Sequence, residues 1–108
     1  MHPDAPLNAP VVSFLQFIIH ETKVEPFERF LERLTREARE FDGCLWAYSF
    51  RAEDLSPNYI VLSGWTDNQR IQEFEEVPRH VRAALMGEEE FFAQPMIMRR
   101  YKNFPQPG

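Results

Sequence analysis

Cys44 is the only cysteine in the chain. No internal disulfide can form, and a lone thiol suits a reducing cytoplasm. No apolar run approaches the ~18 residues that a membrane-spanning helix needs. Lys and Arg number 12 against 17 Asp and Glu, giving a net charge of −5 without a basic stripe. Nucleic acid is therefore not an expected partner, since its binding needs clustered cations. Residues 1–10 hold three prolines and no basic residue followed by an apolar run, so a signal peptide is not expected. His2, His20 and His80 are not at metal-ligand spacing, and no metal is expected. A glycine-rich phosphate loop, a cysteine pair and a nucleophile elbow are all missing.

What is abundant is aromatic surface. Of 108 residues, 14% are aromatic and 10 are Phe. A domain of this length buries roughly 65% of its unfolded surface. That much bulky apolar surface points to a partner chain or a ligand that covers part of it.

Residues 1–10 read as a polar arm, residues 11–104 as one domain, and residues 105–108 as a tail. Val11 to His20 reads as a first strand. Both of its faces are mostly apolar: Val11, Leu15, Phe17 and Ile19 on one, Val12, Phe14 and Ile18 on the other. Both faces should be covered. Helices can cover one, which leaves the other for a second sheet, most simply that of an identical subunit. Pro26 suits a first helical turn. Phe27, Phe30, Leu31, Leu34, Ala38 and Phe41 then fall on one helical face, and Asp42-Gly43 stops the helix.

Leu45 to Phe50 and Tyr59 to Trp65 flank a loop of turn formers and read as an antiparallel hairpin. Trp46, Tyr48 and Phe50 share one of its faces, Leu45, Ala47 and Ser49 the other. A second helix follows, with Thr66 and Gln69 at capping-box spacing and Asp67 as an alternative cap. Its apolar face is Ile71, Phe74 and Val77, and Pro78 breaks it. Residues 79–86 read as a second helical piece. Phe91-Phe92 packs down again, and Pro95 to Phe104 reads as a fourth strand. The order β-α-β-β-α-β implies an α+β, ferredoxin-like sandwich: a four-stranded antiparallel sheet, strands one and three central, both helices on one face.

The sequence resembles the antibiotic biosynthesis monooxygenase family of dimeric α+β barrels over about Val11 to Phe104. Val24-Glu25-Pro26-Phe27-Glu28-Arg29-Phe30 looks like its strand-to-helix junction. Phe41-Asp42-Gly43-Cys44-Leu45 is similar to its Pro-Gly-Cys-Leu approach to strand two. Trp65-Thr66-Asp67 is similar to its Glu-x-Trp-x-Asp exit from strand three, and Val77-Pro78-Arg79-His80 to its Ser-Pro-His segment. Three positions depart from the pattern. Ser63 replaces the acidic residue two before the Trp, Phe74 replaces the helix-two histidine, and Ala47 replaces the aromatic four after the Gly.

The resemblance implies a homodimer joined through the open sheet face. It also implies a monooxygenase-like enzyme that oxidises an aromatic or quinol-type small molecule with O2, without a cofactor. Two alternatives stay open: a haem-binding or haem-degrading protein with His80 as axial ligand, and a non-catalytic dimeric ligand-binding or scaffold module. The candidate pocket lies between sheet and helices and is lined by Phe14, Gln16, Tyr48, Trp65, Phe74 and His80. His80 or Tyr48 assists proton removal; Phe14, Gln16, Trp65 and Phe74 hold the substrate. Each has a simpler account: a surface histidine beside Arg79 and Arg82, an amide paired at the dimer seam, and aromatics packed in a core. Cys44 reads as a small buried hydrophobe.

Overall fold

A computed structural model describes residues 8–76 and 91–104. The elements are β1 (Val11–Ile18), α1 (Val24–Glu40), β2 (Cys44–Arg51), β3 (Asn58–Trp65), α2 (Asn68–Glu75) and β4 (Ile97–Lys102). They form one four-stranded sheet in the order β2-β3-β1-β4, antiparallel throughout. This is the ferredoxin-like α+β sandwich expected from the element order, with β1 and β3 central. Among the described residues no helix is long and apolar enough to cross a membrane.

The register assigns every strand residue to a face. Val11, Ser13, Leu15 and Phe17 of β1 lie opposite Trp65, Ser63, Val61 and Tyr59 of β3. Side chains alternate along a strand, so these eight share the face toward the helices. There they meet Phe27, Phe30, Leu31, Leu34 and Ala38 from α1 and Ile71 and Phe74 from α2. Thr35 is also buried on α1, its hydroxyl donating to the Leu31 carbonyl at 2.8 Å. That bond satisfies a polar group that the apolar periodicity alone did not place in the core.

Gly43 stops α1 in the left-handed region at φ +95°. Its carbonyl accepts from the Thr66 N–H at 2.9 Å, tying the helix end to the end of β3. Asp67 caps α2, its carboxylate accepting from the Arg70 N–H at 3.0 Å. The Thr66 hydroxyl instead donates to Asp67. The alternative cap is thus the working one, because Thr66 is still bound to the strand side of the turn.

Two other boundaries differ from expectation. Ala9 is buried, and the Pro10 carbonyl accepts from the Asn103 N–H at 2.9 Å. The ordered fold therefore includes residues assigned to the arm. Cys44 pairs with Trp65 and Trp46 with Gly64, so Leu45 is the extra residue of a bulge. It leaves the Ala47 face and is exposed. The second helical piece at 79–86, with Val77 and Pro78, lies outside the described residues.

Among the described residues no helix covers the second sheet face. Phe14, Leu62, Tyr48 and Trp46 lie on it with Ile60, Phe50 and Tyr101. Tyr48, Phe50, Ile97 and Tyr101 are between 40% and 52% exposed. An apolar face this broad is unusual for a surface bathed only by water.

Candidate functional site

Between the helix-facing side of the sheet and α1 and α2 there is a small apolar cavity of about 20 Å³. β1 contributes Ser13 and Leu15; β3 contributes Val61, Ser63 and Trp65; α2 contributes Ile71 and Phe74. Met98 of β4 borders the same space and is 46% exposed. Trp65 and Phe74 line it with rings 5.6 Å apart, and Phe41 packs on both from outside the lining, 5.1 Å from Phe74 and 6.2 Å from Trp65. Such separations lie in the favourable range for tilted aromatic pairs.

Two polar groups enter this apolar setting. Ser13 and Ser63 are register partners on adjacent strands, and both are buried. The Ser63 hydroxyl accepts from the Trp65 indole N–H at 2.8 Å. This bond fixes the Trp65 ring on the cavity wall. At the rim, Glu75 is held by Arg100 at 2.6 Å. The cavity has room for about one water-sized group, and its walls are mostly apolar, with Trp65 and Phe74 as the aromatic members.

The sheet separates the sequence-predicted site residues. Trp65 and Phe74 line the cavity together. Phe14, Gln16 and Tyr48 lie on the opposite face, which corrects the single six-residue pocket. The reason is parity: Phe14 pairs with Leu62 and Gln16 with Ile60, whereas Trp65 pairs with Val11. His80 lies outside the described residues.

On the open face, the Gln16 amide donates to the Asn58 side-chain oxygen at 3.2 Å. Tyr48 stacks on Trp46 at 6.1 Å and takes the Arg39 guanidinium over its ring at 5.4 Å. Arg39 reaches around the sheet edge, because its Nε also donates to the Ala47 carbonyl at 2.7 Å. Gln16 and Tyr48 thus have local partners and do not reach the cavity. Ser13, Ser63 and Met98 also line the cavity, outside the set that the sequence points to. A serine in a strand that is otherwise apolar on the same face was the available signal.

A second, open groove of about 400 Å³ runs between α1 and the β2 edge. At one end the Tyr59 hydroxyl donates to Glu28 at 2.7 Å, and Arg51 donates to the same carboxylate oxygen at 3.2 Å. Burial first, and Glu28 second, push the Tyr59 phenol up to about 12. It stays protonated at neutral pH and cannot serve there as a base. Burial likewise pushes the Cys44 thiol up to about 11, against weaker opposing effects of its bond to the Trp46 carbonyl and of Arg39. A protonated, half-buried thiol is a poor nucleophile. Among the described residues no three His, Cys, Asp or Glu side chains gather as a metal site.

No family model and no curated protein matches the sequence. Solved structures do match it. A Deinococcus radiodurans protein, assigned by name to the antibiotic biosynthesis monooxygenases, superposes with a TM-score of 0.81 at 13% identity. That match covers 91% of this chain and 96% of the other. A Nitrosomonas europaea protein with the same assignment gives 0.78 at 12% identity, over 88% of this chain and 99% of that one. A Pseudomonas aeruginosa protein gives 0.78 at 17%, over 91% and 97%. At these identities the shared property is the backbone, and the chain has the α+β fold found in the antibiotic biosynthesis monooxygenases.

Proposed function

We propose that the protein is a cytoplasmic, homodimeric oxygenase that oxidises an aromatic or quinol-type small molecule with O2 between the sheet and the helices. The cavity walled by Trp65 and Phe74 carries this reading. A reaction without cofactor needs a dry, shaped site and a substrate that is itself the reductant. In balanced form, a quinol with a free ring C–H takes up O2 and becomes a hydroxyquinone: one oxygen atom enters as the ring hydroxyl, and the other leaves as water with two hydrogens, the substrate itself supplying the electrons. In this reading proton removal is assigned to His80; Tyr48 lies on the far side of the sheet from the cavity. The haem alternative has less support. Pockets for ligands of that size run to roughly 300 Å³ or more, and this cavity is about 20 Å³.

That volume also favours a second reading, a dimeric binding module without turnover, because a ring enters only if the wall yields. Oxygen consumption with a quinol panel separates the two. The oxygenase reading expects uptake with at least one quinol, falling at least tenfold in His80→Ala while the dimer persists. No uptake across the panel from an intact dimer favours the module.

A further inference from the structure

Ser13 and Ser63 are 5% and 6% exposed, side by side on the central strands, and both border the cavity. Among the described residues the Ser13 hydroxyl has no hydrogen-bond partner, and Ser63 has only the indole N–H of Trp65, which it accepts. Ser13 is not among the fully buried polar atoms left without a partner, so its oxygen keeps a little accessible surface, and Ser13 lines the cavity. Here the space beside them has room for about one hydrogen-bonding oxygen atom.

We infer that Ser13 and Ser63 anchor the oxygen of a neutral phenol, enol or ketone in this cavity. Trp65 occupies a lone pair of Ser63, so the Ser63 O–H points its proton at the guest and Ser13 is left to donate or accept. A phenol fits both: its oxygen accepts from Ser63 and its hydroxyl donates to Ser13. Charge is selected against. No cation lines the cavity among the described residues, and the nearby Glu75 is already neutralised by Arg100. A carboxylate entering there would lose its water and gain no counter-ion. Apart from Glu75 the rest of the wall is apolar, and a ring lodges beside Phe74 and Trp65 only as that wall gives way. Met98 is its yielding side, being unbranched, half-exposed and on an edge strand. The anchor rests on placing the ligand in this cavity and does not depend on turnover.

The test is equilibrium binding of phenol, toluene and benzoate, read by Trp65 fluorescence in a Trp46→Phe protein with unchanged circular dichroism. Phenol should bind and benzoate should not. In Ser13→Ala the phenol-to-toluene preference should fall about five- to tenfold, the size of one lost neutral hydrogen bond. Ser13 carries the test because its hydroxyl has no partner among the described residues whose loss would disturb folding; Ser63→Ala, which strands the Trp65 N–H, is the second variant. Three outcomes overturn the anchor: no phenol binding, benzoate binding as tightly as phenol, or an unchanged preference in Ser13→Ala. A protein that binds phenol by this pattern yet consumes no oxygen fails the oxygenase reading and keeps the anchor.

Discussion

Gly64 lies flat beneath the indole of Trp46, so close that a Cβ at Gly64 would stand 2.4 Å from Trp46 Cε2 and 2.7 Å from the Ala9 side chain. The close approach explains a glycine in a central strand, where it otherwise weakens the ladder. It also accounts for part of the burial of Trp46, whose ring packs on Gly64 and beside Ala9. Gly64→Ala should destabilise the protein by about 1–3 kcal/mol, because the ring or the Ala9 segment must move. Urea unfolding measures this. Adding Trp46→Ala should recover part of the loss; a Gly64→Ala protein as stable as the wild type would mean that the ring shifts freely.

The two candidate caps of α2 make opposite forecasts. Asp67 accepts from Arg70 N–H, and Thr66 makes no bond to the helix backbone. Asp67→Ala should cost about 1 kcal/mol, and Thr66→Ala should cost much less. Equal losses in the two variants would contradict the observed cap.

Much of the fold was legible because it depends on local rules. Phe27, Leu31, Leu34 and Ala38 repeat at helical spacing, and Asp42-Gly43 is a stop signal that the φ of Gly43 bears out. The two apolar faces of β1 could be read from alternation alone. The site was less legible because it depends on register. Nothing within Val11 to His20 says that Phe14 will lie opposite Leu62 and Ser13 opposite Ser63. A shift of one residue exchanges the two faces. Phe14, Gln16 and Tyr48 read as neighbours of Trp65 and Phe74 from sequence, and the register sets the two groups on opposite faces. In the sequence Ser63 is only the position of a missing acidic residue, since its value lies in the Trp65 bond and the Ser13 neighbour.

Tyr59 and Glu28 make stability depend on pH at the alkaline end. The folded protein holds the phenol up to about 12, above its ordinary value near 10, by burial and by the bond to Glu28. The sign follows from linkage: the protonated phenol is favoured in the folded state. Its contribution is fully present below about pH 10 and disappears as pH rises through about 12. The stability difference between wild type and Tyr59→Phe should therefore be constant from pH 7 to 9 and shrink above pH 10. Urea midpoints at a series of pH values test it, and a constant difference up to pH 12 would show that the bond does not hold the proton.

The open sheet face makes the assembly testable. Leu62 is flanked there by Phe14 on one side and Tyr48 on the other, and Tyr48, Phe50 and Tyr101 extend the patch outward. A second copy of the same face would bury these side chains against each other, as a two-fold interface requires. Leu62→Arg places a charge at the centre of that patch and leaves the helix-facing core untouched. Buried unpaired charge is strongly unfavourable, so on the proposed assembly the wild type should sediment as a dimer and the variant as a folded monomer. The helix-side Val61→Ala change is the control: it thins the core and should lower stability while leaving the dimer intact. A Leu62→Arg protein that remains dimeric would place the interface elsewhere on the molecule. The exposed aromatics of this face would then need another occupant.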